Sequence, residues 1–361
     1  KPELIDESRR VLGELCSTVE YFPLWPKKSA LHKYFAFTAG ILYPYPFSAM
    51  AHRSFSYAKR IDELVSHLSI DVIHYDTIGL APYRTQHPEI PSVLTHHNIE
   101  SNLMARRADA EKTLFSRFYV ALQAKRLRRY EISQSPLFDN NVVMSQTDEA
   151  ELRQMVSQVY IRVVPNGVDI DYFQPKLGGQ EPSLIYTGGM NMFANKDAVT
   201  YLLEDIWPII KAAVPDVKFY AIGQDPPREL LELSRNDPAI KVMGYVDDIR
   251  PYVARAAVYV VPLRVGGGTR LKVLDALAQG KAIVSTSVGC EGIEVTDGKN
   301  ILIEDTIDGF ANKTIELLKD ESRRRRLGSE ARVLAEERYA WGKIGKEMQR
   351  TYEEVVKRKK S

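Results

Sequence analysis

A glycine-rich turn followed by two basic residues carries the strongest chemical signal in the sequence. The stretch reads Pro-Leu-Arg-Val-Gly-Gly-Gly-Thr-Arg-Leu-Lys over residues 262–272, after a buried apolar run and at the start of a helical pattern. Glycines let the backbone approach a ligand closely, and the first turn of a helix presents unpaired N–H groups. We therefore interpret this turn as a diphosphate cradle, formed by Gly266, Gly267, Gly268, Thr269, Arg270 and Lys272.

The cradle matches neither of two common phosphate-binding patterns. It is not GxxxxGK[ST], and it is not GxGxxG, which disfavours an ATPase P-loop and a dinucleotide fingerprint. The alternative interpretation of this segment is a tight turn with solvated charges. Five residues beyond Arg270, on the same predicted helix, the carboxylate of Asp275 can accept hydrogen bonds from the two hydroxyls of a ribose. The alternative for Asp275 is an ordinary acid on a helix surface.

The overall charge excludes several classes of protein. The 361 residues contain 49 Lys and Arg against 47 Asp and Glu, so the net charge of +2 gives no general field for nucleic acid, and any anion site must be local. Cys16 and Cys290 are far apart, which argues against a disulfide scaffold or a zinc site and favours a reducing compartment. With no signal peptide and no run of about 20 apolar residues, we expect a cytoplasmic protein, peripheral at most on the inner membrane face.

Short apolar runs alternate with longer amphipathic stretches along the whole chain. This rhythm is typical of βαβ units and a parallel sheet. It predicts strands in the first half at Val19–Leu24, Asp71–His74, Ser92–Thr95, Asn141–Met144 and Ile161–Val164. It predicts strands in the second half at Leu184–Tyr186, Lys218–Ile222, Lys241–Met243, Val258–Val261, Ala282–Ser285 and Ile301–Ile303.

Because both halves repeat this rhythm, we predict two doubly wound, Rossmann-like α/β domains with the ligand cleft between them. The expected divisions are residues 1–174, 175–340 and a last helix in 341–361 that crosses back to the first domain. The helix predicted at residues 1–15 leads directly into Val19–Leu24. A doubly wound domain usually opens with a strand and a glycine-rich turn, so we expect that an amino-terminal strand and its glycine-rich loop are absent.

The second half resembles the nucleotide-sugar domain of GT-B glycosyltransferases, specifically the retaining family 4 group. The segments that carry the resemblance run in the right order over residues 160–305: Val164–Asp169, Tyr186–Met190, Ile222-Gly223, Gly244–Ile249, the cradle and Gly289–Gly292. Looser matches in the first half are Asp71–His74, Thr95–Asn98 and Val143–Ser145.

The resemblance implies a role for several residues. Asp275 stands where the family has the second glutamate of a Glu, seven residues, Glu motif, whereas the first glutamate is replaced by Gly267. The family's basic pair is also missing, because Gly189 and Ala194 occupy its places, and Arg270 and Lys272 could supply the lost charge. The expected donor contacts also include Gly188, Gly189 and the backbone of Tyr245 and Val246 beside the nucleobase.

His97 matches the family histidine that faces the donor sugar, and we predict it as the catalytic residue. It is the better candidate than His96 because alternate residues of a strand face opposite ways. A purely structural role is its alternative. Two acidic pairs are expected to be decoys: Asp169 and Asp171 form a DxD pattern inside a turn, and Asp247-Asp248 begins a predicted helix. We therefore predict no metal site and no cofactor.

The segment from Trp25 to Arg60 interleaves aromatic and basic residues. Such a mixture can lie at an anionic membrane face, where a lipid-linked acceptor would be found, although core packing plus a helix surface explains it equally well. Together these features predict a metal-independent retaining glycosyltransferase that moves a sugar from a nucleoside diphosphate sugar to a glycan or lipid-linked acceptor. The alternatives are a nucleotide-sugar 2-epimerase-like isomerase and a non-catalytic nucleotide-sugar binding module.

Overall fold

Two parallel β-sheets organise the chain, as seen in a computed structural model that describes residues 2–24, 40–41, 43–111, 113–176 and 178–360. The described strands of the first sheet lie in the order β1-β2-β3-β4, at Ile73–Tyr75, Ser92–His96, Asn140–Val143 and Ile161–Val163. Those of the second sheet are β5 to β10, at Glu181–Thr187, Lys218–Ile222, Ile240–Gly244, Ala256–Val261, Ile283–Ser285 and Leu302–Ile303.

The strand order of the second sheet is β7-β6-β5-β8-β9-β10, with every neighbouring pair parallel. This is the doubly wound order, in which the direction of winding reverses between the first and fourth strands, here β5 and β8. The predicted fold class of two Rossmann-like α/β domains is therefore confirmed. In such sheets a ligand binds outside the carboxyl ends of the strands at the reversal, so β5 and β8 mark the place to look.

Helices connect the strands of both sheets. The described helices of the first domain are α1 to α6, at Pro2–Gly13, Phe47–Ala51, Phe55–His67, Glu100–Ala110, Leu114–Gln134 and Gln146–Met155. Those of the second domain are α7 to α13, at Phe193–Tyr201, Trp207–Ala213, Arg228–Asn236, Arg250–Arg255, Leu271–Ala278, Ile307–Lys319 and Glu321–Leu334. Two π-helical segments, Leu202–Ile206 and Ala335–Tyr339, follow α7 and α13.

The last helix, α14 (Trp341–Lys360), packs against the first sheet rather than the second. Its buried Ile344 and Val355 lie in one apolar cluster with Val93 and Val142 of β2 and β3. The crossing point is tight, because a Cβ added to Gly167 would lie 2.6 Å from the ring of Trp341. Side chains of α14, which comes after the second sheet in the sequence, thus complete the core of the first sheet.

Some sequence expectations were wrong in detail. Val19–Leu24 forms no strand; instead Glu20 pairs with Arg60 and the ring of Phe22 packs edge-on against Tyr57. Pro23 lacks the N–H that a strand would donate, which disfavours sheet pairing there. Residues 25–39 of the aromatic and basic segment lie outside the described residues. No described helix is long and apolar enough to cross a membrane.

Candidate functional site

The cradle lies at the carboxyl end of β8, where the winding of the sheet reverses, and leads into α11. Gly266 and Gly268 have φ angles of 132° and 75°, a conformation that side chains with a Cβ rarely adopt. The guanidinium of Arg270 donates hydrogen bonds to the carbonyl oxygens of Gly267 and Gly268. Burial holds the pKa of Arg270 below its usual value. Arg270 therefore fixes the turn and adds a partly desolvated positive charge beneath it.

Lys272 reaches across from α11 to the end of β5 and the start of α7. Its Nζ donates to Tyr186 Oη and to Asn195 Oδ1, both at 2.8 Å, and lies 4.1 Å from the centre of the Tyr186 ring. Burial and the neighbouring Arg270 lower the pKa of Lys272 to about 7. Gly188 makes room for it, because a Cβ there would lie 2.6 Å from Nζ. No described carboxylate pairs with this ammonium group, so it is available to an anionic ligand.

Asp275 is the matching acidic group, one turn farther along α11. It is half-buried, and no described residue donates a hydrogen bond to its carboxylate. Burial alone raises the pKa of Asp275 to about 7. A half-buried carboxylate without a donor is costly for the free protein, and two neighbouring hydroxyl groups of a ligand would relieve that cost.

The turns after β5 and β7 form the opposite wall. The carbonyl oxygen of Gly189 accepts a hydrogen bond from Asn195 Nδ2 at 2.8 Å, while the N–H of Gly223 donates to the carbonyl of Gly244 at 2.9 Å. Tyr245 follows β7 with 72% of its surface exposed, and Val246 packs partly against the core. The predicted donor-binding residues of the second domain thus come together at the carboxyl edge of one sheet.

The two histidines that follow one another at β2 differ sharply. His96 is 1% exposed, its Nε2 lies 3.0 Å from Asn141 Oδ1, and burial lowers its pKa to about 4. His97 is half-exposed, and its Nε2 lies 3.1 Å from Asp76 Oδ1, just beyond β1. The hydrogen bond that His97 donates to the carboxylate of Asp76 raises the pKa of His97 above its usual value. His96 is therefore a core residue, whereas His97 is open to a ligand and poised to be charged.

The two domains meet directly over the cradle. A Cβ added to Gly268 would lie 1.9 Å from Asn98 Oδ1 of the first domain. Arg106 of α4 binds the carboxylate of Glu291 at 2.7 Å and the carbonyl of Gly266 at 3.2 Å. Sequence reasoning missed the Arg106–Glu291 contact; the only hint of it was that Glu291 falls within the motif at residues 289–292.

Three buried polar atoms beside this contact have no described hydrogen-bond partner: Asn98 Oδ1, Thr269 Oγ1 and Arg270 Nε. Buried polar groups are nearly always hydrogen-bonded in folded proteins. Their convergence on one turn between two domains is typical of a site that binds a polar ligand.

The two acidic pairs that were expected not to bind metal make hydrogen bonds to nearby residues of the chain. Asp169 Oδ1 accepts hydrogen bonds from the N–H groups of Asp171 and Tyr172 at 3.0 and 2.8 Å, which is a turn contact. Asp248 accepts from the N–H of Arg250, the first residue of α10, and pairs with its guanidinium. Within the described residues no group of three or more histidine, cysteine or acidic side chains is placed to hold a metal ion.

Two family models match consecutive parts of the chain. Residues 17–172 match the model described as Glycosyltransferase Family 4, and residues 181–320 match the model described as Glycosyl transferases group 1. Together they span most of the chain. The chain belongs to the family 4, group 1 glycosyltransferases.

Two curated relatives match part of this glycosyltransferase-family chain. One is a GDP-mannose-dependent monoacylated α-(1-6)-phosphatidylinositol monomannoside mannosyltransferase of Corynebacterium glutamicum, 23% identical over 51% of this chain and 54% of the relative. The other is an uncharacterized 44.6 kDa protein in the cps region of Klebsiella pneumoniae, 24% identical over 45% of this chain and 44% of the relative. The chain spans about half the length of the curated relatives it matches.

Solved structures of glycosyltransferases share the fold. Sucrose-phosphate synthase from Thermosynechococcus elongatus has a TM-score of 0.66 at 18% identity, covering 83% of this chain and 77% of that one. Anabaena HepE in complex with UDP has a TM-score of 0.65 at 15% identity, covering 82% and 81%. At these identities the likeness establishes the two-domain architecture and leaves the chemistry to the residues of this chain.

Proposed function

We propose that the chain is a retaining glycosyltransferase that moves a sugar from a nucleoside diphosphate sugar to a hydroxyl group of a glycan or lipid-linked acceptor. One observation carries the proposal. Lys272 and Asp275 lie on one helix beside a glycine turn at the reversal of a doubly wound sheet, and among the described residues Lys272 has no carboxylate partner and the carboxylate of Asp275 has no donor. A diphosphate and a ribose would satisfy these two groups together.

In this mechanism the cradle holds the diphosphate and Asp275 holds the ribose. As the bond between sugar and phosphate lengthens, negative charge grows on the leaving diphosphate and the sugar becomes oxocarbenium-like. Lys272, Arg270 and the N–H groups at the start of α11 stabilise that charge without rearranging. His97 faces the sugar from the first domain. The leaving phosphate accepts the acceptor's proton, and the acceptor attacks from the face the phosphate leaves, which retains the configuration.

Metal independence belongs to the same proposal. The positive charge that other transferases take from a divalent ion is supplied here by Arg270 and Lys272. Transfer activity should therefore be unchanged after incubation with EDTA and gel filtration. Loss of activity that Mg²⁺ or Mn²⁺ restores would instead indicate a metal site, and would make Asp169 and Asp171 candidates for its ligands. The proposed location is the cytoplasm, with contact to the inner membrane face.

Product analysis tests the reaction class. Mass spectrometry after incubation with UDP- and GDP-sugars, alone and with a glycan or lipid extract, should show a glycosylated acceptor and a free nucleoside diphosphate. If incubation with the donor alone converted its sugar into another isomer, that product would indicate the 2-epimerase-like activity. Tight nucleotide binding without any product would indicate a non-catalytic binding module.

A further inference from the structure

The first domain contains an open pocket that the donor site does not use. Its empty volume is about 600 Å³, and it lies between residues 20–24, the turn before α3, α3 itself and Leu80. Aromatic and aliphatic side chains form most of its wall: Tyr21, Phe22, Pro23, Leu24, Ala51, Tyr57 and Leu80. We call it the aromatic pocket. Such a wall favours an apolar ligand over a hydrated one.

A cation without an acidic partner stands at the rim of this pocket. Arg53 is exposed, its guanidinium lies 5.2 Å from the centre of the Tyr45 ring, and no described carboxylate pairs with it. The acid that lines the pocket, Glu20, is already neutralised by Arg60 at 2.7 Å. On the neighbouring helix α3, Lys59 and Arg60 are paired with Glu63 and Glu20, so Arg53 is the basic side chain without an acidic partner among the described residues that line the pocket. The apolar wall together with Arg53 therefore favours a ligand that is apolar and anionic at once.

The pocket is connected to the catalytic side of the first domain. His52 lines it and packs on Gly79, where an added Cβ would lie 2.6 Å from the imidazole Nδ1. Thr77, two residues before, donates a 3.4 Å hydrogen bond to Glu100, the first residue of α4. Glu100 follows His97 by three residues. His52 thus joins the wall of the pocket to the turn that carries Thr77, and through Thr77 to the start of α4 beside His97.

We propose that the aromatic pocket binds the lipid phosphate of an acceptor whose sugar then reaches His97, an assignment that rests on the proposed transferase function. The apolar wall takes the first units of the lipid chain. Arg53 takes the phosphate by a charge-assisted hydrogen bond. This makes the acceptor a sugar carried on a lipid phosphate or diphosphate rather than a free glycan.

The test uses the whole chain and farnesyl diphosphate as the probe, with binding measured by calorimetry. Wild type should bind it saturably, and both farnesol and inorganic diphosphate should bind at least tenfold more weakly. Arg53→Gln and Tyr21→Ala should each weaken binding about tenfold; both residues are exposed, so folding is not at risk. Arg235→Gln is the matched control, an exposed arginine of α9 without a described ion pair, and should bind as wild type does.

Three results would overturn the proposal. The first is unchanged affinity for farnesyl diphosphate in Arg53→Gln. The second is competition by UDP or GDP, which would place the probe in the cradle. The third is no saturable binding of the probe together with binding to phosphatidylglycerol vesicles, which would make the basic segment a membrane contact only. UDP and GDP binding to the same wild-type sample tests the donor site separately, so the two proposals can fail independently.

Discussion

Burial lowers the pKa of Lys272 to about 7, so at pH 8 most of the free side chain is neutral. A bound diphosphate favours the charged form and raises that pKa, so binding at pH 8 should take up close to one proton. Asp275 is already largely ionised at pH 8, since its pKa is also about 7, and contributes little. Calorimetry in buffers of different ionisation enthalpy measures the uptake.

Lys272→Met should abolish this proton uptake and weaken nucleoside diphosphate affinity by roughly 10- to 100-fold, as expected for a lost charge-assisted contact of about 1.5–3 kcal/mol. Lys281→Met is the control. Burial also lowers the pKa of Lys281 to about 7, but its ammonium donates to the carbonyls of Ala254 and Ala256, away from the cradle. Equal uptake in Lys272→Met and wild type would contradict the assignment.

His97→Ala should reduce transfer by ~10²–10⁴, the effect of a positioned polar group near the reacting centre, and leave nucleoside diphosphate affinity unchanged. Asp76 raises the pKa of His97, so the charged form persists to higher pH and transfer should fall as the pH rises through that value. Asp76→Asn should shift this falling limb to lower pH. The transfer rate of wild type and Asp76→Asn, measured as a function of pH, tests this prediction.

A second surface pair provides the control for Asp76. His87 Nε2 lies 2.9 Å from Asp62 Oδ1, a geometry similar to that of His97 and Asp76 but remote from the cradle. Asp62→Asn should leave the pH profile unchanged. A profile that is the same in Asp76→Asn and wild type would exclude a charged His97 from the reaction.

At the scale of elements, the glycine turn before α11 is the point where the domains touch. Gly268→Ala should weaken nucleoside diphosphate binding, because the new Cβ would collide with Asn98 across the cleft and displace the turn. Gly298→Ala is a matched control: Gly298 has the same φ of 75° but nothing within 4 Å of an added Cβ. Both variants should lose about 1–3 kcal/mol of stability from the unfavourable backbone conformation.

X-ray scattering and calorimetry distinguish the two glycine variants. Only Gly268→Ala should change the radius of gyration of the free protein and its nucleotide affinity. If Gly298→Ala changed both quantities to the same extent, the contact with Asn98 would not matter for binding.

The central strands of the second sheet, β5, β8 and β9, were predictable because they are almost entirely buried on both faces. The predicted run Val258–Val261, for example, is apolar throughout and lies inside the fully buried β8. Val19–Leu24 looked similar but is not a strand: Pro23 cannot donate to a sheet, and Phe22 packs against Tyr57 of α3. Apolar composition alone does not distinguish the two cases.

The site was predictable to the extent that it is local in sequence. Backbone geometry and charge at Gly266 to Lys272 follow from the eleven consecutive residues 262–272. The pairs Asp76–His97 and Arg106–Glu291 join residues that are 21 and 185 positions apart in the sequence. These contacts could not be predicted from the sequence, because they depend on how the strands and the two domains are arranged in space.

At the scale of the whole molecule, α14 ties the first sheet to the end of the chain. Val355→Ala should destabilise the protein by about 1–3 kcal/mol, because Val355 is fully buried in the cluster with β2 and β3. Nucleoside diphosphate affinity should stay the same, since the cradle belongs to the other sheet. Denaturant unfolding and calorimetry measure the two effects.

Glu353→Ala, at an exposed position of the same helix, is the control and should leave stability within about 0.5 kcal/mol of wild type. A loss of nucleotide affinity in Val355→Ala that matches its loss of stability would show that the two sheets unfold as one unit.

The return of α14 also has a consequence for synthesis on the ribosome. Residues 341–360 emerge only after the whole second sheet has been made, yet Ile344 and Val355 complete the core of the first. Contacts this distant in sequence are slow to form, and domains usually fold as units in order of emergence. Here the order of folding should invert. The second domain can fold while the nascent first domain still exposes the apolar faces of β2 and β3. During that interval the chain most needs a chaperone.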